Sequence, residues 1–177
     1  MLKRLFILCL AGLIVWGGVK TIFDIFPANY MEEIKEFSQK NGLEPSLVLA
    51  QIKAESGFNH NAKSKKGALG LMQVMPETGT WCAKKLNISD FEENSLFIPK
   101  INIEIGCWYL SYLLSKTDSI EWALASYNAG LSNVQKWKES GIHTIEDIPF
   151  PETKTYVKKV LGYKKIYENL YKKELKS

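Results

Sequence analysis

Histidine and cysteine are scarce in this chain. His60 and His143, with Cys9, Cys82 and Cys107, are the full complement in 177 residues. Neither Cys82 nor Cys107 has a histidine close by in sequence, so the short ligand spacings of a zinc site are excluded. There is no glycine-rich phosphate loop of Walker type and nothing that asks for a nucleotide, so no cofactor and no metal are expected. No run keeps up strand alternation and no segment repeats, which removes sandwich, barrel and solenoid architectures. Disorder is excluded as well, because 46% of the residues are apolar and 24% charged. The length suits one domain with one core.

The N-terminus is unlike the rest. Lys3 and Arg4 precede an unbroken apolar run, Leu5 to Val19, which ends at Lys20; this is the pattern of an export signal. Roughly 15 apolar residues suit a signal-peptide core better than the roughly 20 of a spanning helix. Yet no convincing A-x-A cleavage site follows, and Ile22, Phe23, Ile25 and Phe26 extend the segment if Lys20 reaches the interface. We read residues 1–27 as a signal anchor, or otherwise a signal peptide, with a short linker over 20–28. Residues 28–177 then form a domain outside the cytoplasm. Leucine, not a small residue, precedes Cys9, which argues against a lipid-modified cysteine. Cys82 and Cys107 are read as buried thiols; a disulfide is the alternative open to an exported chain.

The net charge of +4 is unevenly spread. Residues 153–177 hold eight lysines against Glu168 and Glu174, whereas 29–152 hold twelve lysines against sixteen acids. The basic end is read as a solvated helix face, with contact to anionic envelope polymers or lipid heads as the alternative. No nucleic-acid partner is expected, and the domain is taken as a monomer.

Helical spacing dominates the remainder. Asn29 and Glu32 suggest a capping box, Ile34 and Phe37 a short stripe, and Gly42 a stop. A second helix starts at Pro45 and carries Leu47, Val48, Ile52 and, in its last turn, Glu55. A polar loop from Gly57 to Gly67 leads to a short helix around Leu69 to Val74, and Trp81 and Leu86 suggest another to about residue 86. Residues 87–98 look irregular. Ile98, Ile101, Ile105, Trp108 and Tyr112 mark the central core helix. Asp118 and Glu121 cap "SIEWALASYNAG", which Gly130 ends. Leu131, Val134 and Trp137 give a short helix, and "IEDIPFPE" a loop. A long amphipathic helix from Glu152 to about Leu175 closes the chain, its stripe running through Tyr156, Val160, Tyr163, Tyr167 and Leu170. The predicted fold is mainly α, a compact helical domain behind the hydrophobic segment.

The stretch "AESGFNHNAKSKKGALGLMQVMP" places one acid, Glu55, among small and polar residues, with no second acid in the stretch. The plain reading is helix, loop, helix, with a solvated glutamate. Against it, Ser56-Gly57-Phe58 turns the chain sharply after the acid, Gly67 and Gly70 allow close backbone approach, and Gln73 and Met75 offer an amide and a soft apolar surface. Far along, "ASYNAG" puts Tyr127 and Asn128 at a helix end. Aromatic faces and amides are the mixture that sugars require. A carboxyl at a helix C-terminus also meets the negative end of the backbone dipole, which disfavours its charged form.

"ESGFNHNAKSKKGALGLMQVMPETG", "ALASYNAG" and "IPFPETKTYV", in this order and spacing, resemble the soluble lytic transglycosylase (SLT domain) family, whose fold is that of goose-type lysozyme. The resemblance covers roughly residues 30–170. It implies a lysozyme-like helical fold, peptidoglycan glycan strands as substrate, and Glu55 as catalytic acid and then base. It also implies substrate contacts from Ser64, Gln73, Met75, Tyr127, Asn128 and Glu152. Many glycosidases need two carboxylates; the family manages with one, because the sugar's own 6-hydroxyl closes a 1,6-anhydro ring. Glu55 should then be raised from roughly 4.3 towards about 6. The rivals are a hydrolytic lysozyme of the same fold, with Glu146, Asp147 or Glu152 as second carboxylate, and a non-catalytic glycan-binding protein of the envelope. Of Trp81, Trp108, Trp122 and Trp137, one at most is expected to line a sugar groove.

Overall fold

Proline sets the start of four helices. The computed structural model describes residues 21–175, and the apolar run Leu5 to Val19 lies outside them. Among the described residues the longer helices are α1 (Met31–Lys40), α2 (Pro45–Glu55), α3 (Pro76–Leu86), α4 (Pro99–Lys116), α5 (Ile120–Ala129), α6 (Leu131–Glu139) and α7 (Pro151–Leu170). Proline occupies the first turn of α2, α3, α4 and α7, where its missing N–H would have had no helical partner in any case. Short 3-10 turns lie at Glu93–Phe97 and Ile145–Asp147. No strand forms among the described residues; extended pairing is limited to isolated bridges.

The helix that carries the single acid is the centre of the domain. Leu47, Val48, Leu49, Ala50 and Ile52 are all buried, so α2 is covered on nearly every side, as a helix apolar all round must be. Each large side chain buried this way contributes about 1.5–3 kcal/mol. Its most extensive neighbour is α7, which buries Tyr156, Val157, Val160 and Tyr167. On α4, Ile103, Ile105, Leu110 and Leu113 are buried. Cys82 and Cys107 are free and buried, matching the thiol reading. Burial pushes the Cys82 thiol up to about 12, the behaviour of an inert small hydrophobe.

Several local expectations are corrected. The first helix begins at Met31 after a left-handed Tyr30 (φ 62°), without a side-chain cap, so the Asn29–Glu32 box does not form. Ser119, not Asp118, caps α5: its hydroxyl accepts from the Trp122 amide at 3.4 Å, while Asp118 pairs with Lys138. The last helix ends at Leu170 and turns follow. The stretch read as a linker is packed down: residues 21–25 are helical, Phe26 meets the Tyr163 and Tyr167 rings edge-on, and the Tyr167 hydroxyl donates to the Pro27 carbonyl at 2.9 Å. Among the described residues no helix is long and apolar enough to cross a membrane.

The largest correction concerns residues 69–74, which form a tight turn and not a helix. Leu69 bridges to both Lys63 and Val74, while Gly70 (φ 75°) and Gln73 (φ 49°) take left-handed backbone that a right-handed helix cannot contain. A Cβ on Gly70 would stand 2.2 Å from the Leu96 carbonyl oxygen and 2.3 Å from the Asn102 amide, so only glycine fits. Asn102, wholly buried on α4, holds this turn. Its Oδ1 accepts from the Met72 amide at 2.7 Å, and its Nδ2 donates to Leu69 and Leu96 carbonyls at 3.0 and 2.7 Å. The turn's conformation is therefore fixed by a residue thirty positions away.

Candidate active site

Helix α2 stops at its acid. Ser56 closes the last turn, its backbone amide reaching the Ile52 carbonyl at 3.0 Å. Gly57 and Phe58 then both adopt left-handed φ, 60° and 70°. The chain is thrown aside and the Glu55 carboxyl faces a cleft instead of a further helical turn. The opposite wall is another tight turn, in which the Ser64 amide donates to Ala68 O and the Ala68 amide donates to Ser64 Oγ, each at 2.9 Å.

A cleft of about 380 Å³ brings together all seven residues singled out in the sequence: Glu55, Ser64, Gln73, Met75, Tyr127, Asn128 and Glu152. They arrive from α2, the two turns, the end of α5 and the start of α7. Met75 is 43% exposed and supplies an apolar rim. Some of their polar atoms are already engaged by the protein. Gln73 Nε2 donates to Gly70 O at 2.8 Å, the Tyr127 hydroxyl donates to Met72 O at 2.9 Å, and Asn128 Oδ1 accepts from the Thr153 hydroxyl at 2.8 Å. These bonds lock the lining before any ligand arrives, which reduces the entropy lost on binding. None of the four tryptophans lines the cleft; Trp122 and Trp137 are core, at 6% and 8% exposure.

Burial dominates the electrostatics of Glu55. It pushes the carboxyl up to about 7, against a hydrogen bond from Tyr156 and the charge of Lys159, which pull it down. The Tyr156 hydroxyl donates to Glu55 Oε1 at 2.7 Å. Glu152 is the contrast: its carboxylate is 77% exposed and faces Lys66 at 3.8 Å. The arrangement offers one carboxyl able to hold a proton near neutrality and give it up inside a cleft lined by hydroxyl, amide, charged and apolar side chains. Among the described residues, no three His, Cys, Asp or Glu side chains gather as a metal ion would need.

Sequence reasoning did not find Tyr156, which lies at helical spacing in an apolar stripe and is indistinguishable there from a core tyrosine. Its spacing of four from Glu152 places both on one face of α7, a signal that was available. Lys65 and Lys66, which fall in the polar loop from Gly57 to Gly67, also line the cleft.

The transglycosylase SLT domain model matches residues 32–146. The chain belongs to that family. It is 35% identical over 152 residues to the soluble lytic murein transglycosylase of Salmonella typhimurium, covering 81% of this chain and 24% of that protein. Its fold matches that of the 70 kDa soluble lytic transglycosylase of Escherichia coli with a TM-score of 0.79 at 32% identity, over 91% of this chain and 27% of the other. An inactive glutamate-to-glutamine mutant of the lytic transglycosylase Slt from Pseudomonas aeruginosa matches with a TM-score of 0.77 at 36% identity, over 83% and 25%. The chain thus spans about a quarter of the length of these relatives.

Proposed function

We propose that this SLT-family chain is a peptidoglycan lytic transglycosylase. It cleaves the β-1,4 bond between N-acetylmuramic acid and N-acetylglucosamine and leaves 1,6-anhydromuramic ends. The observation that carries the reading is the Glu55 carboxyl, raised to about 7 by burial at the wall of the cleft. A general acid is most effective with its pKa near the working pH. In the first step Glu55 gives its proton to the glycosidic oxygen as the C1–O bond breaks, and the muramic acetamido group stabilises the cationic centre. In the second the 6-hydroxyl oxygen bonds to C1 and its proton returns to the Glu55 carboxylate, so the acid is regenerated and no water is consumed. Ser64, Gln73, Met75, Tyr127, Asn128 and Glu152 form the sugar cleft in this reading. The inactivity of a relative bearing glutamine for a glutamate is consistent with a single essential acid.

A hydrolytic lysozyme would need a positioned water and a second carboxylate. Glu146 is held by Lys158 at 2.8 Å and Asp147 accepts from the Thr144 hydroxyl at 2.6 Å, and neither lines the cleft; Glu152 does, but is 77% exposed and faces Lys66. A non-catalytic glycan binder would have no use for a buried, protonated acid, which is costly to keep. The substrate places the domain in the cell envelope outside the cytoplasm, and residues 1–27 are proposed to anchor it in the membrane as a monomer. Digestion of purified sacculi by the full chain, with products identified by mass, tests the reading. Anhydro ends, lighter by one water than reducing ends, are expected. Reducing ends would make the protein a hydrolase, and no release at all a binding module.

A further inference from the structure

One turn before the acid, α2 carries a polar side chain that does not line the cleft. Gln51 is wholly buried, and neither its Oε1 nor its Nε2 has a partner in hydrogen-bond geometry. Four residues apart, Gln51 and Glu55 share one face of the helix, and that face meets α7, where Tyr156 stands. The amide is near enough to the Tyr156 hydroxyl to oppose the rise that burial imposes on the phenol, although the bond itself is not closed. A buried amide with no partner is an expensive way to fill space, and methionine of similar size would be more stable there. Packing therefore does not account for it.

We propose that Gln51 is a positioning residue for Glu55, its Nε2–H serving as the donor that the Tyr156 oxygen takes up when the acid becomes a carboxylate. The inference rests on Glu55 being the acid of the reaction. Tyr156 has one hydroxyl proton, and it points at Glu55 Oε1 from 2.7 Å. While Glu55 is neutral this is an ordinary hydrogen bond. Once Glu55 has surrendered its proton the bond becomes charge-assisted, density on the Tyr156 oxygen grows, and a second donor behind it is worth more. Hydrogen bonds of this kind are often open before substrate binds. Gln51 thus helps the charged state of Glu55 selectively, and a contact made stronger on the way to the transition state raises kcat without tightening the substrate.

The groups facing Glu55 from each packed element are few. Tyr156 and Lys159 come from α7 and Tyr127 from α5, while Lys65, Lys66 and Glu152 share the cleft. Losing the Gln51 donor weakens the help that Tyr156 gives the carboxylate. The pH at which Glu55 ionises then rises, and the alkaline limb of turnover moves to higher pH.

The test is a double-mutant cycle of Gln51→Met and Tyr156→Phe in the full chain, with turnover of soluble peptidoglycan fragments followed from pH 5 to 9. Gln51→Met is expected to move the alkaline limb upward by about half a unit and to lower kcat by up to about threefold, with KM unchanged. It should also melt at or above the wild-type temperature. In the Tyr156→Phe background the same exchange should change neither kcat nor the limb. An unmoved limb in Gln51→Met, or effects of the two exchanges that simply multiply, overturns the inference. The limb is a property of the active molecules alone, so a partly unfolded variant still gives the answer, and Gln51→Leu repeats it with another side chain. Glu55→Gln, assayed alongside, separates the two ideas. If it retains turnover, the acid assignment fails; if it is inactive and the Gln51→Met limb is unmoved, only the role of Gln51 fails.

Discussion

The cleft has a dry side and a wet side, each holding one carboxyl. On the dry side α2 and α7 bury each other, and Glu55 is pushed up to about 7 by the loss of water. On the wet side Glu152 stands 77% exposed opposite Lys66. Both are glutamates on helices, and the difference between them is solvent. The dry side is therefore suited to proton transfer, where desolvation sets the acid's strength. The wet side is suited to recognition, where charges meet a ligand and are screened by salt.

The severest attempt to break this contrast is Glu55→Gln, which removes the proton and keeps the shape. Turnover should fall by about 10³-fold or more, with folding intact by circular dichroism. If Glu152→Gln had the larger effect, the dry side would not be the chemical one. Stability gives an independent reading of the same burial. The folded value of about 7 lies above the unfolded 4.5, so the folded state holds this proton more tightly. That contribution is complete below the unfolded value and is lost as pH rises through the folded one. A loss on the order of 2–3 kcal/mol between pH 4.5 and 8 follows for a carboxyl that still faces the cleft. Urea denaturation across this range should show less decline for Glu55→Gln than for the wild type. Equal slopes would mean that Glu55 is hydrated in the folded protein.

A comparable effect on stability alone is expected at the floor of the cleft. Asn102→Ala takes the donor or acceptor it supplies from the Met72 amide and the Leu96 carbonyl, and one of two donors from the Leu69 carbonyl, which keeps the Val74 amide at 3.0 Å. Buried groups left unpaired cost about 1–3 kcal/mol each, so a loss of about 3 kcal/mol or more in urea melts is predicted. Retained stability would show that the turn is held by its own sequence.

That prediction also explains how far the sequence could be read. Helix positions were legible because apolar spacing and first-turn prolines are local signals, and Glu55 at the end of α2 could be placed from them. The turn at 69–74 was misread as a helix because what decides it, left-handed Gly70 and Gln73 held by Asn102, comes from across the molecule. Glu55, Gln73, Met75, Tyr127 and Asn128 stood out by residue type and position, while Ser64 and Glu152 came only through the resemblance to a family, and nothing local says that the seven share one cleft. Tyr156 was missed for the same reason in reverse: a tyrosine in a helical stripe looks the same whether its hydroxyl meets a carbonyl or an acid.

The smallest effect is predicted on the wet side, and it sharpens the comparison through its dependence on salt. Glu152→Gln leaves the acid untouched and removes one exposed charge from the cleft's lip, where an ion pair at 3.8 Å contributes little to folding. The expected change is a rise in KM of about two- to fivefold, under about 1 kcal/mol, with kcat preserved. Interactions between exposed charges weaken as the screening length falls from about 10 Å at 0.1 M salt to about 3 Å at 1 M. To the extent that the rise comes from the charge, it should shrink towards one at high salt, while the defect of Glu55→Gln stays. A Glu152→Gln defect that persists in 1 M salt and falls on kcat would place that carboxylate against the reacting sugar, and with it the second acid that a hydrolase needs.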